Sequence, residues 1–149
     1  MLHGTLTMEP RISIITLGVE NISRSYDFYH LGLGFPTKGT ADSPWIAFQT
    51  GGVCLALYPY KSLAEDAGTE PTAMKGQFTG ITLAHNTRTK VEVDEIIDQA
   101  ERAGARVVRA TMKPWNIYSG YFIDPDGYYW EVAWGPDWKF HDDGRLVIT

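Results

Sequence analysis

Residues 119–134, SGYFIDPDGYYWEVAW, hold two aromatic-rich runs on either side of Asp124-Pro125-Asp126-Gly127. Pro125 presets φ, the aspartates offer acceptors to nearby backbone amides, and Gly127 tolerates positive φ, so the four residues have the chemistry of a turn. A hairpin is expected, with strands over 119–123 and 128–134. Side chains alternate across a strand. Tyr129, Glu131 and Ala133 therefore share one face, and Tyr128, Trp130 and Val132 the other. Glu131 is a carboxylate set mid-strand among large rings, although glutamate is poorly suited to strands and rarely buried without a partner. Two readings of it stay open at this point: a solvated face with a cross-strand Lys or Arg, or a carboxylate retained for function.

Before the hairpin, 106–110 reads as a short strand and 111–118, TMKPWNIY, as the loop leading in. Thr89 with Glu92 makes a capping-box pattern, and Val93, Ile96, Ile97 and Ala100 form one apolar stripe ending at Gly104, which predicts a helix. A strand over 78–85 precedes it, giving β-α-β-β-β. The first half has the same order. The β-branched run 11–19 is a strand, and Asn21 caps a helix carrying Ile22, Ser25, Tyr26, Phe28 and Tyr29 that stops at Gly32. A strand starts near Phe35, and 45–49 with 53–58 form a hairpin through Thr50-Gly51-Gly52. Laying Gly52 on Gly127 places Leu55 on Trp130, Ala56 on Glu131 and Leu57 on Val132, which reads as an internal repeat.

At 149 residues, 44% hydrophobic and 21% charged, the chain reads as one soluble globular domain over 1–149. Within it, 11–59 is a first module, 60–77 a linker broken by Gly68, Pro71 and Gly76 with a short helix at most over 61–67, and 78–135 a second module. The tail 136–149 ends in RLVIT, whose alternation suits an extra strand or an interface segment. A net charge of −5 argues against a nucleic-acid partner. Cys54 is the only cysteine and excludes an internal disulfide, as in a protein made in a reducing compartment. With neither a leader pattern nor about 18 consecutive apolar residues, the expected location is cytoplasmic, away from membranes.

Val19-Glu20-Asn21-Ile22 with Ser25 and Phe28-Tyr29, then Leu31-Gly32-Leu33-Gly34-Phe35, and later Tyr121 to Gly127 followed by Trp130-Glu131-Val132 together resemble the vicinal oxygen chelate superfamily, which includes glyoxalase I, bleomycin resistance proteins and extradiol dioxygenases. The resemblance spans about Ile12 to Trp134. It implies an α+β fold in which two βαβββ modules pair into a curved mixed sheet around a cleft, with the helices outside. It also implies four metal-ligand positions, which fall here on Ile14, Ala56, Gly80 and Glu131. Only Glu131 is a donor, whereas Zn, Ni or Fe sites need three or four N, O or S ligands. No metal and no cofactor are therefore expected.

Of the four histidines, His3 and His141 lie in the terminal stretches, His30 suits a helix C-terminus, and His85 has the strand parity that points away from the cleft, toward a capping bond with Asn86-Thr87. The expected site comprises Glu131 as floor or catalytic carboxylate, with Thr16, Tyr58, Trp115, Tyr118, Tyr121 and Tyr129 contacting a ligand, because rings with polar tips suit a binding pocket. The function so implied is glyoxalase- or bleomycin-resistance-like binding of a small organic molecule without metal. The alternatives are a metal-dependent lyase, isomerase or dioxygenase with rearranged ligands, or a metal-free enzyme using Glu131 as acid or base. A homodimer is expected.

Overall fold

The computed structural model describes residues 8–72 and 77–148. His3, Thr149 and residues 73–76 of the linker lie outside them. The first strand, β1 (Ile14–Val19), is followed by α1 (Ile22–Tyr26), whose N-cap Asn21 accepts from the Arg24 amide at 3.0 Å. The helix widens into a π-helical turn over Asp27–Gly32 before Leu33 closes it. Next come β2 (Ile46–Phe48) and β3 (Cys54–Pro59), joined through Gly52 at φ +85°. The strand expected near Phe35 does not form. Gly34 at φ +78° and Pro36, which has no N–H, interrupt the backbone there, and a single antiparallel bridge from Thr37 to Phe48 is what remains.

α2 (Tyr60–Asp66) packs on β1 and β3 of the first half, and in the second half β4 (Thr82–Asn86), α3 (Lys90–Arg102), β5 (Arg106–Met112), β6 (Tyr118–Ile123) and β7 (Tyr129–Trp134) follow the expected order. α3 has the Thr89 cap, with the Thr89 hydroxyl accepting from the Glu92 amide and donating to its carboxylate at 2.8 Å. Two mixed sheets result, in the orders β1-β3-β2 and β4-β7-β6-β5, with β1 parallel to β3 and β4 parallel to β7. This is an α+β fold in which the sheets do not close into a barrel. The tail forms no strand among the described residues. It folds back on itself through one bridge between Phe140 and Leu146.

One core spans both halves. Leu17, Val19, Leu55 and Leu57 from the first sheet meet Phe28 and Tyr29, and these meet Phe122, Trp130 and Val132 of the second. Trp130 lies stacked on Phe122 at 5.5 Å and tilted against Tyr29 at 6.0 Å. Full burial of such a side chain contributes roughly 2 kcal/mol, against a net of about 1 kcal/mol for an ordinary hydrogen bond. The rings thus supply the adhesion between halves, and the polar contacts set its register.

Candidate functional site

The pairing registers decide which side chains share a face. Tyr121 lies opposite Glu131 on β6, and Ala84 lies opposite it on β4. Tyr129 shares this face, its ring edge-on to Tyr121 at 6.1 Å and to Phe78 at 5.6 Å. Trp130 and Val132 occupy the other face, under α3. Glu131 is half-buried and takes part in none of the ion pairs among the described residues. The cross-strand Lys or Arg left open by the sequence is therefore not its partner; a phenol and a methyl group are. Partial burial first, and the Glu131 carboxylate second, raise the pKa of the Tyr121 phenol.

In the first sheet, Thr16 and Ala56 are directly opposed and share a face with Tyr58, itself opposite Gly18. Thr16, Ala56 and Tyr58 thus repeat the placement of Ala84, Glu131 and neighbours in the second. Ile14 pairs with Cys54 rather than Ala56, and Gly80 precedes β4, so the residues opposite Ala56 and Glu131 are Thr16 and Ala84. This shift of register adds no donor of metal-ligand type. Among the described residues no three His, Cys, Asp or Glu side chains converge. The donor set does not fit a transition metal, which requires at least three protein ligands here.

Two expected ligand contacts lie elsewhere. Tyr118 is opposite Trp134 and turns to α3, where its hydroxyl bonds both Asp94 oxygens at 2.9 and 3.0 Å and Lys90 sits 4.8 Å over its ring. The contact with Asp94 raises its pKa. Trp115 is at the tip of the β5–β6 connection, 88% exposed, with φ +63° beside Asn116 at φ +62°. Neither joins the Glu131 face. His85, opposite Val132, points to the α3 side as parity predicts, but its side chain makes no capping bond among the described residues. His30 bonds the Phe35 carbonyl at 2.8 Å in a structural role.

The aspartates of the hairpin turn do more than shape it. Asp124 is buried and accepts from the amides of Asp126 and Tyr128, each at 2.9 Å, and from the Tyr29 hydroxyl at 2.5 Å. Trp130 Nε1 donates to that hydroxyl at 3.0 Å. Burial pushes the Asp124 carboxyl up to about 6 despite these donors, and raises the Tyr29 phenol well above its ordinary value. Asp126 accepts from the Glu20 amide at 2.9 Å, the Ser25 hydroxyl at 2.9 Å and Arg24 at 3.1 Å. Tyr128 donates to the Gly18 carbonyl at 2.8 Å, and burial followed by the two carboxylates pushes its phenol up to about 12. The turn of the second half is thereby bolted to the first strand and helix of the first half. The sequence shows the turn chemistry of these aspartates but not their reach, because their partners in the first half lie 95 or more positions away.

Against this junction lies a concavity of about 850 Å³, between the end of β1, the start of α2 and the turn. Arg24, Lys61 and Arg106 line it with Tyr60 and Tyr128. Glu131 does not.

The family model for the Glyoxalase/Bleomycin resistance protein/Dioxygenase superfamily matches residues 11–132. No curated protein gives a significant match. Among solved structures, a glyoxalase-related enzyme from Fulvimarina pelagi is 32% identical, with a TM-score of 0.85 over 95% of this chain and 99% of its own. A glyoxalase/bleomycin resistance protein/dioxygenase from Nocardioides (23% identity, TM-score 0.74, 89% and 87% covered) and a lactoylglutathione lyase from Agrobacterium tumefaciens (22%, 0.65, 90% and 100%) share the fold. Together with the paired β-α-β sheets and the turn that joins them, these likenesses establish that the chain belongs to the glyoxalase/bleomycin resistance protein/dioxygenase superfamily.

Proposed function

We propose that this protein binds a small organic molecule without a metal, on the face of the second sheet that carries Glu131, Tyr121 and Tyr129. The observation that carries the reading is the position of Glu131: half-buried, unpaired by any cation among the described residues, and flanked by Tyr121, Ala84 and the edge-on ring of Tyr129. A carboxylate in such a place accepts a hydrogen bond from a ligand N–H or O–H, and the two rings provide apolar area with polar tips. Thr16 and Tyr58 supply the corresponding face of the first sheet, and a second copy completes the enclosure in a homodimer. Exposed Ile12, Ile14 and Ile81, on or next to the outer strands β1 and β4, offer apolar area for such a contact.

A thermal-shift screen of small organic molecules tests this, with each hit re-measured on Glu131→Gln and Tyr129→Ala. Hits should weaken about tenfold, or roughly 1.4 kcal/mol, on either variant, while Glu131→Gln leaves stability in the absence of ligand within about 0.5 kcal/mol. Close to one equivalent of Zn, Ni, Mn or Fe per chain that survives dialysis and is lost in Glu131→Gln would overturn the reading.

A further inference from the structure

The concavity beside the hairpin turn has a size and a lining that the Glu131 face does not explain. Its volume of about 850 Å³ falls within the roughly 300–1,000 Å³ of small-molecule pockets. Both halves of the chain build it, and the bonds from Tyr128 to Gly18 and from Glu20 to Asp126 hold those halves in place, so the site is preformed.

Its charge is unlike that of the rest of the chain. Of the three lining cations, Arg24 is engaged by Asp126 at 3.1 Å, whereas Lys61 and Arg106 are exposed and form no ion pair among the described residues. The acidic side is largely spent. Asp126, 7% exposed, turns both oxygens to the Glu20 amide, Ser25 and Arg24, and Asp124 is buried behind the turn. Glu20 is the one exposed carboxylate of the lining. Two uncompensated cations thus face one carboxylate on a chain of net charge −5. The walls between them are half-buried phenol rings that do not swing freely: Tyr60 Oη accepts from the Thr72 amide at 3.2 Å, and Tyr128 Oη is committed to Gly18. An ordinary solvated surface does not place unpaired cations beside fixed rings in a concavity built by both halves of the chain.

We propose that this concavity is a second binding site, for a small ring-bearing organic anion whose carboxylate or phosphate is held by Lys61 and Arg106 and whose apolar body lies against Tyr60 and Tyr128. The site shares no residue with the Glu131 face, and the inference stands or falls separately from the function proposed above.

The test is a titration of the full chain at low salt with benzoate, phenyl phosphate, neutral benzamide and inorganic phosphate, read by amide chemical shifts in nuclear magnetic resonance. Benzoate, phenyl phosphate or both should move the amides of Glu20, Lys61 and Gly127, and the tighter of the two identifies the anion chemistry. Benzamide should bind about tenfold more weakly or worse, and the Lys61→Ala/Arg106→Ala double variant should weaken the anion by about tenfold or more, whereas Glu131→Gln should not change it. Both substituted side chains are exposed, so the fold survives the change. The proposal is overturned if no anion shifts these amides up to about 10 mM, if benzamide binds equally well, if the double variant binds like the wild type, or if inorganic phosphate binds as tightly as phenyl phosphate.

Discussion

Asp124 is the buried one of the two turn aspartates, and its carboxylate answers two amides of its own turn and the Tyr29 hydroxyl from the other half. Replacing Tyr29 by Phe removes the donor to Asp124 and the acceptor of Trp130 Nε1 together. Each orphaned buried group costs about 1–3 kcal/mol, so Tyr29→Phe should lose about 2–6 kcal/mol in urea unfolding. The same carboxyl makes stability depend on pH. Its folded pKa of about 6 lies above the ordinary value of 3.8, so between these values the native state holds a proton that the unfolded chain has lost. The contribution is complete below about pH 4 and is lost as pH rises through 6, amounting to about 3 kcal/mol at about 1.4 kcal/mol per pKa unit. Between pH 4.5 and pH 7.5 about 2 kcal/mol of it falls away, because at pH 4.5 the unfolded carboxyl is already mostly ionised; wild type should lose that much more stability over the interval than Asp124→Asn, and equal slopes in the two would remove the assignment.

Among the elements, α3 and the sheet beneath it show which local contacts are forgiving. The Thr89 cap satisfies one amide at an exposed helix end, and Thr89→Ala should cost about 1 kcal/mol. Gly120 on β6 is different. A Cβ there would lie 2.5 Å from the Val108 carbonyl oxygen and 2.7 Å from both the Ala110 nitrogen and Ile97 Cδ1 of α3. The first two are backbone atoms that cannot swing aside, and they sit at the register shift between Val108 and Thr111. Gly120→Ala should therefore destabilise by about 3 kcal/mol, toward the upper end for overpacking, and by clearly more than Thr89→Ala in the same thermal unfolding series. Equal shifts would mean that the β5 bulge relaxes to admit a methyl group.

For the whole molecule, two open sheets whose edge strands, β1 and β2 in one and β4 and β5 in the other, are each paired on one side leave backbone groups available for association. Light scattering at micromolar concentration should give twice the chain mass of 16.7 kDa. A value of one chain mass would remove the homodimer and leave the Glu131 face open to solvent on a monomer.

Local chemistry was enough for the sequence by itself to determine the element order of the second half and all but one strand of the first. The Asn21 and Thr89 caps, the apolar stripe of α3, the Gly52 and Gly127 turns and the alternation around Glu131 are all set by residues within a few positions of one another. The departures have a common cause. Phe35 has the composition of a strand, but Gly34 and Pro36 leave it too few backbone partners, and Tyr118 passes for a cleft ring until the β6–β7 register turns it to Asp94. Only the tertiary structure decided that Asp124 and Asp126 tie the halves together, or that Lys61 and Arg106 line one concavity. These meetings join residues such as Tyr29 and Asp124, 95 positions apart. No periodicity encodes them, because a hydrogen bond or a shared pocket between distant segments exists only after the core has packed both into place.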